Sequence, residues 1–175
     1  MLKRFHKDER GVAAMEFALL FPVLLLLYFG VAELTVGMMA NGRAAHVASV
    51  VGDLVTQMPA VKQQDMSDVF LVAGAIMKPF PTTSLKMKVT SIRADGSGVP
   101  KLIWSCDKGA PSTCSQLTGT ASGFPAGLLA ANESMIQTEV EYTYTSPTQV
   151  TMPLPLTFKS KYYIKPRRSS EVILN

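Results

Sequence analysis

At 175 residues, 47% hydrophobic and 17% charged, the chain has room for one membrane helix and one modest folded domain. Its net charge of +4 is too small to argue for a nucleic-acid partner, and no basic stripe with interleaved aromatics occurs. There is no phosphate-binding loop, zinc signature or internal repeat, so no cofactor or metal is expected.

The N-terminal stretch organises the rest. Lys3, Arg4, Lys7 and Arg10, with Asp8 and Glu9 among them, form a charged leader that ends at Gly11. From Val12 to Ala32 the only acidic or basic side chain is Glu16, and Phe17 to Ala32 carries no charge at all. About 20 residues at about 1.5 Å rise cross a bilayer core, so the segment is long enough to span. Arg43 is the only Lys or Arg between the leader and Lys62. Basic flanks stay cytoplasmic, which places the N-terminus inside and the chain beyond about residue 40 outside. Pro22 lacks an N–H and its ring crowds the Ala18 carbonyl, so a kink or soft point is expected there.

Glu16 is the expensive residue. A carboxylate deep in lipid costs about 2.5–3.5 kcal/mol on insertion scales. A cut between Gly11 and Val12 would put a new α-amine on Val12 and make Glu16 the fifth residue of the mature chain. Four residues along a helix is one turn along the same face, so amine and carboxylate could pair within one subunit or between neighbours.

Glycine at the cut, an apolar residue after it and glutamate at the fifth mature position is the layout of type IV prepilins. The wider string from Arg4 to Pro22 closely resembles the start of TadE/TadG-like proteins, the pseudopilins of bacterial tight-adherence (Flp-type, type IVc) pilus systems. The likeness covers about thirty residues; the remainder is only loosely similar, and the length favours a TadE-like or TadF-like member. The resemblance implies a minor pilin or pseudopilin in the inner membrane, cleaved by a prepilin peptidase. Its implied partners are other pilin subunits and the inner-membrane assembly machinery, its role surface attachment. Two readings compete. One is a secretory signal peptide, which Asp8, Glu9, Glu16 and Pro22 all fit poorly. The other is a plain anchor for an extracytoplasmic binding or sensory module outside any filament.

Four regions follow: a leader at 1–11, a membrane and assembly segment at 12–40, a domain at 41–165 and a tail at 166–175. The helix is expected to continue to Met58, about 70 Å in all, with Val47, Val51, Leu54, Val55 and Met58 at helical spacing. Gly37, Gly42 and Gly52 weaken it. A second helix fits Gln64–Met77, with Asp65 or Ser67 as its cap and Met66, Val69, Phe70, Ala73, Ile76 and Met77 along one face.

Strands follow. Leu85, Met87 and Val89 alternate with polar residues, Asp95-Gly-Ser-Gly reads as a turn, and Lys101–Cys106 returns with Trp104 as a core anchor. Cys106 and Cys114, both on the outer side, are expected to form a disulfide. The Gly/Ser/Thr-rich stretch from Asp107 to Pro125 reads as a loop and as the candidate recognition surface. Met135–Tyr144 and Leu156–Lys165 alternate clearly, and antiparallel pairing would set Glu139 and Glu141 against Lys159 and Lys161. The connection between them holds Pro147, Pro153 and Pro155 and is not helical. The tail from Pro166 reads as solvated. The whole is α+β: a long N-terminal helix, a second amphipathic helix and an antiparallel sheet of about four strands. No catalytic constellation stands out. His46, Ser49 and Asp53 share a helix but supply no oriented base or oxyanion hole.

Overall fold

In the computed structural model, which describes residues 10–109, 112–125 and 127–175, helix α1 runs unbroken from Arg10 to Thr56. It passes through Pro22 and all the internal glycines. Most of the leader lies outside the described residues. The final turn of α1 tightens, with Gln57 and Met58 N–H groups donating to the Leu54 and Val55 carbonyls, and Pro59 follows. Strand β1 (Ala60–Val61) leads into helix α2 (Gln63–Met77). Asp65 does serve the start of α2, but from inside the first turn: its carboxylate accepts from the Lys62 backbone N–H at 2.9 Å. Met66, Val69, Phe70, Ala73 and Met77 are buried on one face, as the spacing requires, while Ile76 is only half-buried.

The main sheet has five antiparallel strands in the order β4-β3-β2-β5-β6. These are β2 (Leu85–Ala94), β3 (Pro100–Asp107), β4 (Thr113–Gln116), β5 (Ser134–Tyr144) and β6 (Leu156–Ile164). The β2–β3 turn is closed by the Asp95 side chain, which accepts from the Ser97 and Val99 N–H groups, with Gly98 at φ 80° supplying the left-handed step. β5 alternates as expected: Ile136, Thr138, Val140, Tyr142 and Tyr144 are buried, and Gln137, Glu139, Glu141 and Thr143 are half-exposed. Glu139 stands opposite Lys161 and Glu141 opposite Lys159, with ion pairs at 2.6 and 3.2 Å.

By contacts the chain divides into two units, Met1–Met38 with Thr145–Pro155, and Met39–Tyr144 with Leu156–Asn175. Within the second unit, Ala40, Ala44, Val47, Ala48, Val51 and Val55 of α1 are buried. Gly52 belongs to the same stripe. A Cβ there would sit 3.0 Å from the Thr138 hydroxyl and 3.4 Å from the Ile164 side chain. Glycine is what lets helix and sheet approach this closely. Gly42 has no such neighbour.

Two expectations need correction. The stretch from Asp107 to Pro125 is not simply a loop. β4 lies within it and adds the fifth strand, with Cys106 and Cys114 directly opposite each other and disulfide-bonded. Ser112 is fully buried and hydrogen-bonds to Ser67 and the Gln63 carbonyl. Lys108 donates to the Thr82 and Leu85 carbonyls, and burial pulls its pKa down. Further on, Ala121 joins Ile92, Ala94, Leu129 and Met135 in a small second core, flanked by an edge-to-face Phe124–Tyr163 pair at 5.5 Å.

The chain after Pro166 is not simply solvated either. Strand β7 (Ile173–Leu174) pairs in parallel with β1. Val172 is fully buried, and its carbonyl accepts the Trp104 indole N–H at 2.7 Å. Arg167 ion-pairs with Asp53 at 2.7 Å. Trp104 is therefore the core anchor its strand position implied, and its one polar atom fastens the C-terminus. The α+β layout of two helices and one antiparallel main sheet is as expected, with five strands in that sheet among the described residues.

Candidate processing and assembly segment

The first unit holds the residues on which processing and assembly would depend. Gly11, Val12, Glu16 and Pro22 all lie on α1. Every residue from Gly11 to Tyr28 is exposed, including Phe17, Leu19, Leu20, Val23, Leu24 and Leu27. This half of α1 is apolar on all sides and meets the length and composition required to cross a membrane. Its apolar side chains are available to lipid or to other helices. A Cβ on Gly11 would meet nothing within 4 Å, so the fold itself makes no demand for glycine there. Val12 and Glu16 lie one turn apart on the same face, which is the geometry that pairing requires.

The buried side chain in this part of the helix is an acid. Glu33 is 4% exposed, and the segment Thr145–Pro155 wraps its carboxylate. Val150 N–H donates to Oε1 at 2.9 Å, and the Thr148 hydroxyl donates to the same oxygen. Oε2 accepts from Thr151 N–H at 3.1 Å, Thr151 hydroxyl at 2.6 Å and Met152 N–H at 2.8 Å. Three successive backbone N–H groups converge because the chain turns sharply just before them, with Gln149 at φ 52°. Runs of N–H groups beside a left-handed residue form anion-binding concavities. Here the anion is the chain's own side chain. Among the described residues no cation pairs with Glu33. Thr151 also lies against Gly30, where a Cβ would come within 3.7 Å of its methyl.

The family model for TadE-like protein matches residues 11–52. The chain carries a TadE-like segment. The match opens on Gly11, includes Val12, Glu16 and Pro22, and covers most of α1. No curated protein and no solved structure matches the chain.

The remaining site residues do different work. Cys106 and Cys114 tie β3 to β4 and take no part in the assembly segment. His46 is exposed, and Asp53 is held by Arg167 and by the Gln57 amide at 2.8 Å. A depression of about 400 Å³ on the sheet is lined by Lys86, Lys88, Asp107, Glu139, Glu141 and Lys161, among others. Its glutamates are each engaged by lysine. Hydrogen bonds from Lys159 and Lys86 lower the Glu141 pKa, and the bond to Glu139 raises that of Lys161. Among the described residues, no cluster of three or more His, Cys, Asp or Glu could hold a metal.

The clasp on Glu33 is the feature that sequence reasoning missed. Glu33 marks the end of the uncharged run, and nothing about its neighbours says more. Its partners lie 115 to 119 positions away, in a stretch whose visible signal was only its prolines.

Proposed function

We propose that this protein is a minor pilin or pseudopilin of a tight-adherence pilus system. It is made as an inner-membrane precursor with its N-terminus in the cytoplasm and its C-terminal domain outside. A prepilin peptidase cuts after Gly11. The freed helix then packs against other pilin or pseudopilin helices, presented by the inner-membrane assembly machinery. The observation that carries this reading is the TadE-like match, which begins at Gly11 and coincides with a helix that leaves its leucines uncovered. Apolar faces that lie in lipid before assembly can exchange it for other helices at little cost, because packing and small-residue contacts decide helix association there. In this scheme the Val12 amine and the Glu16 carboxylate set the register between neighbours, and Pro22 is the soft point that eases exit from the bilayer.

N-terminal sequencing of protein extracted from membranes tests the central step. The expected first residue is Val12. Gly11→Leu should abolish processing, and because nothing crowds Gly11, the variant should still fold and insert. Glu16→Ala should be processed normally but fail to support piliation, scored by probing the fraction sheared from cells. A mature protein that begins at Met1 would leave only an anchored extracytoplasmic module.

A further inference from the structure

The Thr145–Pro155 segment is unusual in what it lacks. It contains no Asp, Glu, Lys, Arg or His, although it joins two strands whose outward faces carry Glu139, Glu141, Lys159 and Lys161. It exposes Val150 at 48% and Leu154 at 75%. Its position along α1 is fixed by its contacts, which fall on Gly30 and Glu33. Those residues close the uncharged run Phe17–Ala32. The longer apolar segment from Val12 to Ala32, with Glu16 near its start, is about 30 Å of helix, the thickness of a hydrocarbon core. A segment held at Gly30 and Glu33 therefore sits where hydrocarbon gives way to headgroups.

We infer that residues 145–155 form a membrane-surface element, with Val150, Leu154 and the adjoining prolines seated in the outer interfacial layer of the lipid bilayer. The inference rests on α1 spanning the membrane. The hydrogen bonding of the segment suits that setting. Irregular backbone is costly near lipid because its N–H groups lose water. Pro147, Pro153 and Pro155 have no N–H to lose, and the N–H groups of Val150, Thr151 and Met152 are all spent on Glu33. In return, Glu33 receives five donors where a bare carboxylate would be expensive. Charge-free composition, exposed aliphatic tips and a backbone with three N–H groups replaced by proline rings and three held by Glu33 agree on one occupant, a lipid surface. The bilayer is also continuous with the one the helix crosses.

Site-directed spin labelling of the full chain in phosphatidylcholine/phosphatidylglycerol vesicles tests this. Nitroxides are placed singly through Leu154→Cys, Leu19→Cys and Ser97→Cys, and collision rates with oxygen and with a water-soluble nickel chelate are compared. The label at position 154 should show an oxygen-to-nickel ratio several-fold above that at 97, in the exposed β2–β3 turn, and below that at 19. Adding Glu33→Gln, which offers one acceptor oxygen where two are used, should drop the ratio at 154 toward that at 97. A lipid-like signal at 19 with a water-like signal at 154 would overturn the surface element alone. A water-like signal at both would overturn the spanning helix beneath it. Protection of 154 from both reagents would overturn lipid as the occupant and indicate a protein neighbour. A ratio at 154 unmoved by Glu33→Gln would overturn the role of the clasp.

Discussion

Residues 12–39 and residues 40–56 belong to one helix, yet they hide opposite kinds of side chain. In the first stretch the leucines, Phe17 and Phe21 are exposed and the buried side chain is Glu33. In the second the buried stripe is Ala40, Ala44, Val47, Ala48, Val51 and Val55, a one-sided pattern suited to a sheet beneath it. The contrast shows that helical propensity and apolar content do not say what a helix packs against. A helix apolar on every side needs a medium or partners all round. A helix apolar on one side needs a single surface. Small residues in the second stretch let the backbone come close, and Gly52 is the extreme case.

The same substitution in the two stretches should fail in different ways. Val51→Asp buries a charge with no partner, which belongs among the most destabilising changes, about 4 kcal/mol or more. Detergent-solubilised protein should lose its Trp104 fluorescence signature and its urea transition, and recover partly as the carboxyl protonates at low pH. Leu24→Asp should leave that transition in place. Its cost, about 2.5–3.5 kcal/mol on insertion scales, should appear as poorer membrane integration, read by alkaline extraction. If both variants unfolded alike, the division of the helix into two regimes would be wrong.

A gentler pair sharpens the point inside the second stretch. Gly52→Val forces a branched side chain against Thr138 and Ile164 and should cost about 1–3 kcal/mol through overpacking. Gly42→Val meets open space and should be close to neutral or slightly stabilising, since most β-branched residues still form helix better than glycine does. Equal midpoints in urea would remove the close-approach argument.

The smallest effect belongs to the charged face of the sheet. Lys159 and Lys86 depress the Glu141 pKa, so its contribution is present above the unfolded carboxylate pKa and fades as pH falls through the lower folded value. Glu141→Gln should flatten that part of the acid limb while leaving the midpoint at neutral pH nearly unchanged, because both lysines are largely exposed. An unaltered acid limb would mean the pairs carry no linkage.

Much of this was legible from the residues in order. The charge-free run to Ala32, the stripe of α2 and the alternation of β5 are local periodic signals, and each element formed where its period placed it. The pairing of Glu139 and Glu141 with Lys159 and Lys161 followed because antiparallel register converts two alternating patterns into facing charges. Gly11, Val12 and Glu16 were legible as a motif, and the family match falls on the same stretch. β4 was not legible, since four residues of Thr, Cys, Ser and Gln carry no apolar alternation and pair only because β3 offers an edge. Nor was the docking of the C-terminus, which depends on the Trp104 indole meeting the Val172 carbonyl.

Sequence alone determined that an uncharged helix long enough to span a bilayer precedes an α+β domain, because hydrophobic length and strand alternation are written in neighbouring residues. Only the tertiary structure decided which surface each part of that helix meets, and that Glu33 is enclosed by hydrogen-bond donors 115 to 119 positions distant. Hydrogen bonds between such remote groups leave no period in the chain. They exist only once the fold has brought three consecutive N–H groups to one carboxylate.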